Sequence, residues 1–370
     1  MKSAIGQCIQ LSVFGESHGE AIGVVIQGLP SGFPVDMDRI MKQMDLRKAQ
    51  GKISTQRKES DIPVILSGLF EGKTTGTPLC IMIRNENTRS KDYSKLKDIP
   101  RPSHADYTAQ IKYQGFQDYR GGGHFSGRLT AALTAAGAIF LQMLESKDIH
   151  VGTHVLQLKE VRDQSFSTDP DTLQQQILSL STQLACLDPD RAKDMEQVIL
   201  KAAEKLDSVG GILESAVTGM PAGVGEPMFD SVESKLSHLL FSVGAVKGIE
   251  FGDGFALAEQ YGSQANDEFI MDQGEIRTRT NHNGGINGGI TNGMPVILRT
   301  VIKPTPSIYQ RQHSVNMKTK EETELQIQGR HDPAIIHRAR VVIDSMIAFG
   351  LADLLTERYG ILWWKGEHHD

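Results

Sequence analysis

Three histidines of this chain lie in short polar segments where a side chain able to transfer a proton would be well placed. His18 and His104 stand in two of these segments, and His331 precedes Asp332 in a third. An imidazole titrates near neutral pH, so each of these side chains suits a general acid or a proton relay. The alternative for His18 and His104 is a hydrogen-bonded turn residue, and both interpretations remain open at this point.

Arginines gather in the same kind of polar or glycine-rich loop. Six of them share this placement: Arg47, Arg57, Arg101, Arg120, Arg128 and Arg330. The planar, forked guanidinium donates paired hydrogen bonds to carboxylate and phosphate oxygens. One surface arginine is commonly only solvated, but six in loops predict an anionic small-molecule ligand.

Glycine is unusually frequent, at 37 of 370 residues, and it is clustered. Most glycines fall in five stretches, at 15–32, 115–127, 210–225, 244–254 and 284–293. Glycine adopts backbone angles that other residues avoid, and it lets the backbone approach a ligand closely. Because histidine, arginine and asparagine are interleaved with these glycines, the stretches predict loops that shape a site. For any one stretch, a plain turn is the alternative.

Composition and motif spacing exclude several other classes of protein. The chain is 39% hydrophobic and 23% charged with a net charge of −6, which excludes a disordered chain and argues against a general nucleic-acid binder. Its three cysteines lie far apart and no residues have zinc spacing, so no metal is predicted. There is no Walker-type phosphate loop, and the glycine run at 284–289 lacks the spacing of a dinucleotide site. No signal peptide is recognised and the apolar segment 129–144 reads as a core helix, so we expect a cytoplasmic protein without a membrane span.

Both strands and helices are predicted as the elements that would position these residues. Apolar patterning predicts strands at 22–26, 63–70, 79–84, 151–161, 211–218, 246–251 and 294–302. It predicts helices at 36–45, 106–113, 129–146, 229–241 and 333–358, and a helical hairpin over 169–207 broken at 187–190. Asp332 is the expected N-cap of the last helix, with Pro333 as its first residue. Strands and helices do not alternate regularly, which favours an α+β fold, and we expect a single domain over 1–370.

The ordered motifs of the chain resemble those of chorismate synthase. They are FGESHG at 14–19, RPSHADYT at 101–108, YRGGG at 119–123, AVKGIEFGDGF at 245–255, TNHNGGI at 280–286, KPT at 303–305 and GRHDP at 329–333. The resemblance covers residues 14 to about 355. Seven motifs in order are far more specific than any one of them.

This resemblance implies a reaction, a fold and partners. It implies removal of phosphate from 5-enolpyruvylshikimate 3-phosphate in an anti 1,4-elimination that yields chorismate for aromatic amino acid biosynthesis. The reaction needs reduced FMN although it is redox-neutral. The implied protein is a homotetramer whose α+β subunit holds helices between antiparallel sheets. No flavin reductase domain is evident, so NADPH-derived reducing equivalents are expected from an external reductase.

The family's functional positions carry over to individual residues of this chain. By resemblance, His18 protonates the departing phosphate, His104 protonates reduced flavin, and Asp332 works with the flavin in removing the C6 proton. Flavin positions fall on His124, Phe125, Ser126, Gly244, Ala245, Gly288, Lys303, Pro304, Thr305, Pro306, Ser307 and Arg330. Substrate positions fall on Arg47, Arg57, Arg101 and Arg128, and Arg47 also matches a position assigned to NADP.

The chain departs from the family pattern in two loops. Many members have GGGRSSAR where this chain has GGGHFSGR at 121–128, and the arginine-rich loop is reduced to LRKAQGK at 46–52. Two other functions are considered, the first suggested by the altered arginine loop and the second by the glycine content and the flavin alone. One is a flavin-binding protein without turnover, against which the intact His18, His104 and Asp332 argue. The other is a nicotinamide-dependent oxidoreductase, which would consume NADPH in proportion to product.

Overall fold

The computed structural model describes residues 3–54, 60–86, 97–272, 274–327, 329 and 331–366. Every strand pair among these residues is antiparallel. The strands are β1 (Ala4–Ile5), β2 (Gln10–Gly15), β3 (Ala21–Gln27), β4 (Ser31–Pro34), β5 (Val64–Ser67), β6 (Leu69–Phe70), β7 (Lys73–Thr75), β8 (Leu79–Arg84), β9 (His150–Leu158), β10 (Val161–Arg162), β11 (Gly211–Thr218), β12 (Val246–Phe251), β13 (Phe269–Asp272), β14 (Glu275–Thr278), β15 (Ile286–Asn287), β16 (Ile290–Thr291), β17 (Val296–Ile302), β18 (Gln312–Val315) and β19 (Glu322–Leu325). The α-helices are α1 (Met37–Arg47), α2 (Asp106–Lys112), α3 (Thr130–Glu145), α4 (Pro170–Ser179), α5 (Pro189–Glu204), α6 (Val232–Phe241), α7 (Gly262–Ala265) and α8 (Ile336–Tyr359).

Two five-stranded sheets enclose the longest apolar helices. The first sheet has the strand order β1-β2-β3-β8-β5, and the second has the order β10-β9-β11-β17-β12. α3 contacts β3 and β8 of the first sheet and β9 of the second, while α8 packs along α3 and against β9 and β11. The predicted α+β fold, with helices between antiparallel sheets, is confirmed.

The contact between α3 and α8 depends on small residues. Gly137 of α3 faces Ser345 of α8, and a Cβ at position 137 would overlap the Ser345 side chain. Glycine therefore permits the two helices to approach closely at this point. The segment Gly127–Glu145 is long and apolar enough to cross a membrane, but 83% of it is buried inside the protein. This burial is what the sequence predicts for a core helix.

Several predicted boundaries are wrong for identifiable reasons. The strand predicted over 63–70 is divided by Gly68, whose φ of 80° breaks the extended chain into β5 and β6 of different sheets. The break in the helical hairpin runs from 180 to 188, longer than predicted. The last helix begins at Ile336, so Asp332 is not its N-cap. A tertiary contact holds the backbone just before the helix: the carbonyl of Pro333 accepts a hydrogen bond from the backbone N–H of Val209 at 2.8 Å.

A row of charged side chains crosses four strands of the second sheet. In the strand register, Glu214 lies opposite His154 on one side and Arg299 on the other, and Arg299 lies opposite Glu250. The His154 Nε2 atom is 3.1 Å from Glu214 Oε2, and Arg299 donates to Glu214 at 2.9 Å and to Glu250 at 3.2 Å. On its other nitrogen, Nδ1, His154 lies 3.2 Å from a carboxylate oxygen of Asp163. The buried imidazole thus sits between two carboxylates.

The contribution of His154 to the stability of the protein is expected to fall as the pH rises above the ordinary imidazole pKa of 6.5. Burial alone favours the neutral ring, but the hydrogen bonds to Asp163 and Glu214 raise the pKa of His154 above its ordinary 6.5. The charged imidazole therefore stabilises the fold fully below the ordinary pKa, and this contribution is lost as pH rises through the folded-state pKa. Urea unfolding of the wild type and His154→Gln over this range should show a stability difference that shrinks with pH. A difference independent of pH would contradict the assignment.

Candidate functional site

His18 lies in the loop that follows β2, where the structure buries it. Its side chain is only 7% exposed, and its Nδ1 atom is 3.3 Å from Ser17 Oγ. The backbone N–H of Ser17 donates to the carbonyl of Gly123 at 3.1 Å, which joins this loop to the glycine segment 121–123. A second contact joins the same two segments, since His124 Nδ1 lies 2.9 Å from the carbonyl of Gly15. The loop that carries His18 is therefore held to the glycine segment at two points, Gly15 and Ser17.

The glycine segment brings His18 and His104 together. Gly121 has a φ of 60°, and a Cβ built on it would overlap the His18 ring. The next residue, Gly122, has a φ of 85°, and a Cβ built there would lie 3.3 Å from His104 Cε1. Two imidazoles thus pack against consecutive glycines, and a side chain would overlap the His18 ring at Gly121 and press on the His104 ring at Gly122. Two histidines that are 86 positions apart in the chain therefore share one site.

Substituting Gly121 is expected to impair the site more than the fold. Gly121→Ala places a Cβ in the left-handed region and against the His18 ring, so we expect destabilisation of about 1–2 kcal/mol and a loss of kcat on the order of 100-fold from a displaced His18. Steady-state kinetics and thermal unfolding measure the two effects. Gly127→Ala is the matched control, because a Cβ there meets nothing within 4 Å. Equal effects of the two substitutions on kcat would contradict this role for Gly121.

His104 is held by an ion pair just before α2. Its Nδ1 atom lies 2.7 Å from Asp106 Oδ1, and Arg101 donates to both carboxylate oxygens of Asp106 at 2.7 Å. Burial opposes ionisation of Asp106, but hydrogen bonds from Arg101 and His104 hold the pKa of its carboxyl well below the usual range. Because Nδ1 of His104 faces Asp106, Nε2 is the ring nitrogen on the side of Gly122. A Cβ built on Gly122 would lie 3.5 Å from this Nε2 atom.

Two of the predicted substrate arginines meet on one buried carboxylate. Arg47, at the end of α1, pairs with Asp61 Oδ2 at 3.1 Å, and Arg128 pairs with Asp61 Oδ1. All three residues are buried, and Asp61 is only 1% exposed. Arg128 also donates to Asn85 Oδ1 at 2.9 Å. Asp61 was not predicted as a site residue, because the sequence shows only a carboxylate at the end of a polar loop.

Asp332 is linked to the same arginine cluster through Arg338. The Arg338 guanidinium donates from Nη1 to the Asp332 carboxylate and from Nε to the backbone carbonyl of Arg47, the latter at 3.0 Å. The side chains of Asp332 and Arg338 are only 11% and 18% exposed. The predicted catalytic carboxylate therefore lies beside the end of α1, near the predicted substrate arginines.

The segment after β17 approaches the His104 loop from the other side. Lys303 donates from Nζ to the carbonyl of Ser103 at 2.7 Å, and Ser307 Oγ accepts from Arg101 at 3.3 Å. The backbone N–H of Lys303 donates to the carbonyl of Ala245 at 2.9 Å, which brings Gly244 and Ala245 next to this segment. Burial and the neighbouring Lys247 lower the pKa of Lys303.

Two further predicted flavin positions are Phe125 and Gly288. Phe125 lines one small cavity together with His104, Gly122 and Met317, and therefore belongs to the assembled site. Gly288 directly follows β15. The chain just before β15 lies near the start of β17, because the backbone N–H of Ile297 donates to the carbonyl of Gly284. Lys303 follows the opposite end of β17, and the two ends of that strand are roughly 20 Å apart at the usual rise per residue.

Some predictions fall outside the described residues. Arg57 and Arg330 lie there, so the structure does not place these two expected ligands. Of the other sequence candidates, Arg120 forms an ion pair with Asp118 at 2.7 Å. Among the residues that the structure describes, no group of three or more histidine, cysteine, aspartate or glutamate side chains is arranged to hold a metal ion.

Comparisons with known proteins agree on one family. A sequence model described as chorismate synthase matches residues 9–356 of this chain. The chain is 46% identical to the chorismate synthase of Lachnoclostridium phytofermentans over 355 residues, covering 95% of each protein. It is 43% identical to that of Methanocaldococcus jannaschii over 368 residues, covering 96% of this chain and 97% of the relative. A crystal structure of a chorismate synthase superposes with a TM-score of 0.76 at 27% identity, covering 98% of this chain and 96% of the other.

Proposed function

Because this chain belongs to the chorismate synthase family and is a lyase, we propose that the site described above eliminates phosphate from 5-enolpyruvylshikimate 3-phosphate to give chorismate. The observation that carries this assignment to the site is the packing of His18 and His104 against consecutive glycines. That arrangement gives one small site two proton-transferring groups, with buried arginines close by.

The arginines recognise the anionic substrate. Arg47 and Arg128 share Asp61, so the three side chains carry one net positive charge in a buried setting, where interactions between charges are stronger than in water. Arg57 belongs to the same polar loop of the sequence, and Arg101 stands beside His104. The substrate carries two carboxylates and a phosphate, and arginine side chains bind such groups through paired hydrogen bonds. Stabilising the charge that develops on the departing phosphate is the main electrostatic task of this cluster.

His18 donates the proton that makes phosphate a better leaving group. Its Nδ1 atom faces Ser17 Oγ at 3.3 Å, so Nε2 is the nitrogen assigned to the transfer. Asp332 works with the flavin in removing the C6 proton on the opposite side of the elimination. Its carboxylate is held by Arg338 rather than by a helix cap. Acid and base thus come from different elements, the loop after β2 and the segment before α8.

The residues after β17 fit reduced FMN. Thr305 Oγ1 is buried with no hydrogen-bond partner among the described residues, and Lys303 contributes a cation nearby in the chain. A flavin phosphate and ring would use these donors together with Ser307, the backbone at Gly244 and Ala245, and the half-exposed Phe125. When bound, reduced FMN supplies an electron-rich ring that assists loss of the allylic phosphate. His104 holds a proton at Nε2 for the flavin, oriented by Asp106.

We also propose that the chain acts as a cytoplasmic single-domain subunit of a homotetramer. The hairpin β13–β14 supports an interface, because it exposes Phe269, Met271 and Ile276, which are each about two-thirds exposed. Met271 lies opposite Ile276 in the register and Phe269 is two residues away, so the three share one face. A second copy would cover this face. Reducing equivalents come from NADPH through an external reductase, with Arg47 as the candidate contact for NADP.

Phosphate release and NADPH consumption, measured together, test this function. With catalytic FMN, a reductase and NADPH under anaerobic conditions, we expect many phosphates released for each NADPH consumed, since the elimination is redox-neutral. One NADPH oxidised per phosphate would instead favour a nicotinamide-dependent oxidoreductase. Bound FMN without phosphate release would favour a flavin-binding protein without turnover.

A further inference from the structure

We propose that Arg338 is a positioning residue that fixes the Asp332 carboxylate relative to the substrate arginines. This inference rests on the proposed function, because it assigns Arg338 a part in the proton transfer made by Asp332. Arg338 lies in the first turn of α8 and matches none of the positions that the sequence motifs single out.

The guanidinium of Arg338 makes two contacts that link Asp332 to Arg47. The Nη1 atom of Arg338 donates to Asp332 Oδ2, and the Nε atom donates to the backbone carbonyl of Arg47 at 3.0 Å. A guanidinium is planar and rigid, so the two partners are held at a fixed separation. Arg47 in turn contacts Asp61, which also holds Arg128. The position of the proposed base is thereby tied to the arginine cluster that is proposed to bind the substrate.

This ion pair differs from the ordinary surface pairs of the same chain. Arg191 and Asp194 pair within one turn of α5 with side chains 47% and 52% exposed, whereas Arg338 and Asp332 are 18% and 11% exposed. Asp332 also lies outside the helix, four residues before its first residue, Ile336. Arg338 restricts rotation of the carboxylate, which is what a group that takes part in removing a carbon-bound proton requires.

Lysine cannot replace Arg338 in this geometry. A lysine ammonium keeps the positive charge but presents one nitrogen, which cannot reach the Asp332 carboxylate and the Arg47 carbonyl in two fixed directions. Arg338→Lys should therefore resemble Arg338→Gln in activity more than it resembles the wild type. A residue that contributed charge alone would behave in the opposite way.

A double-mutant cycle with Asp332 tests the proposal. We would measure kcat and KM for 5-enolpyruvylshikimate 3-phosphate with reduced FMN in the wild type, Arg338→Gln, Arg338→Lys, Asp332→Asn and the double variant Arg338→Gln/Asp332→Asn. Misplacement of a reacting group costs on the order of 100-fold, so we expect a loss of about that size in kcat for Arg338→Gln, with KM changed by less than about threefold. In the Asp332→Asn background, Arg338→Gln should cause no further loss.

The outcomes separate this proposal from the function on which it rests. A folded wild type without chorismate formation would remove the proposed function and the inference with it. An active wild type whose two losses multiply in the double variant, or whose Arg338→Lys variant keeps full kcat, would overturn the inference alone. Thermal unfolding reports whether each variant folds, and Arg338→Lys decides the matter if Arg338→Gln does not. Arg191→Gln, in an exposed pair, is the matched control and should leave kcat unchanged.

Discussion

Replacing His18 with alanine is expected to lower kcat by about two to four orders of magnitude, the usual contribution of a positioned general acid. KM for the phosphorylated substrate should change by less than about threefold, because the proton transfer stabilises the transition state and not the bound substrate. The structure supports this separation, since His18 contacts Ser17 and the glycine segment, whereas Arg47 and Arg128 gather around Asp61. Steady-state kinetics under anaerobic conditions, with reduced FMN in excess, measure both constants.

The control for this substitution is an exposed histidine of the same chain. His238 lies on the exposed side of α6, so His238→Ala should retain wild-type kcat. If His18→Ala raised KM in proportion and left kcat intact, His18 would be a binding residue and the acid would have to be sought elsewhere.

Replacing Asp61 with asparagine is expected to destabilise the fold by about 3–5 kcal/mol, the usual cost of removing one partner from a buried ion pair. Asp61 is only 1% exposed and faces both Arg47 and Arg128, so its loss leaves two buried guanidiniums side by side. Asparagine keeps the size of the side chain and tolerates the left-handed backbone at this position, where φ is 45°. The change therefore isolates the charge, and denaturant unfolding measures its effect.

An exposed ion pair again supplies the comparison. Asp194 is 52% exposed and pairs with Arg191, so Asp194→Asn should cost no more than about 1 kcal/mol. We also expect Asp61→Asn to raise KM, since both arginines lose the carboxylate that orients them. Similar unfolding free energies for the two variants would show that Asp61 does not hold the arginine cluster together.

Local sequence patterns predicted much of the fold. The apolar run at 129–146 became α3, and α5 begins at Pro189 after its N-cap Asp188, because an aspartate before a proline starts a helix by local chemistry alone. The same logic failed at Asp332. That residue precedes a proline too, yet its segment is held by a hydrogen bond to Val209, a contact made only after the chain has folded. Tertiary contacts of this kind leave no local signal.

The residues of the candidate site differ in the same way in how far the sequence predicts them. His18, His104 and the glycines between them could be predicted, because residue type and motif spacing point to them. Asp61 and Arg338 could not, since their importance comes from what they touch and not from their own type. Arg47 lies 291 positions before Arg338 in the chain, and no periodicity links the two. The altered loop at 121–128 kept its three glycines in the left-handed region, which is the property that its packing against the histidines requires.

We propose that this chain converts 5-enolpyruvylshikimate 3-phosphate into chorismate at the site built around His18, His104 and Asp332. Anaerobic incubation of the purified protein with this substrate and reduced FMN, followed by quantification of chorismate and inorganic phosphate, tests it most directly. We expect equal amounts of the two products from the wild type and a rate lowered by orders of magnitude in His18→Ala. Folded wild-type protein that forms neither product under these conditions would contradict it.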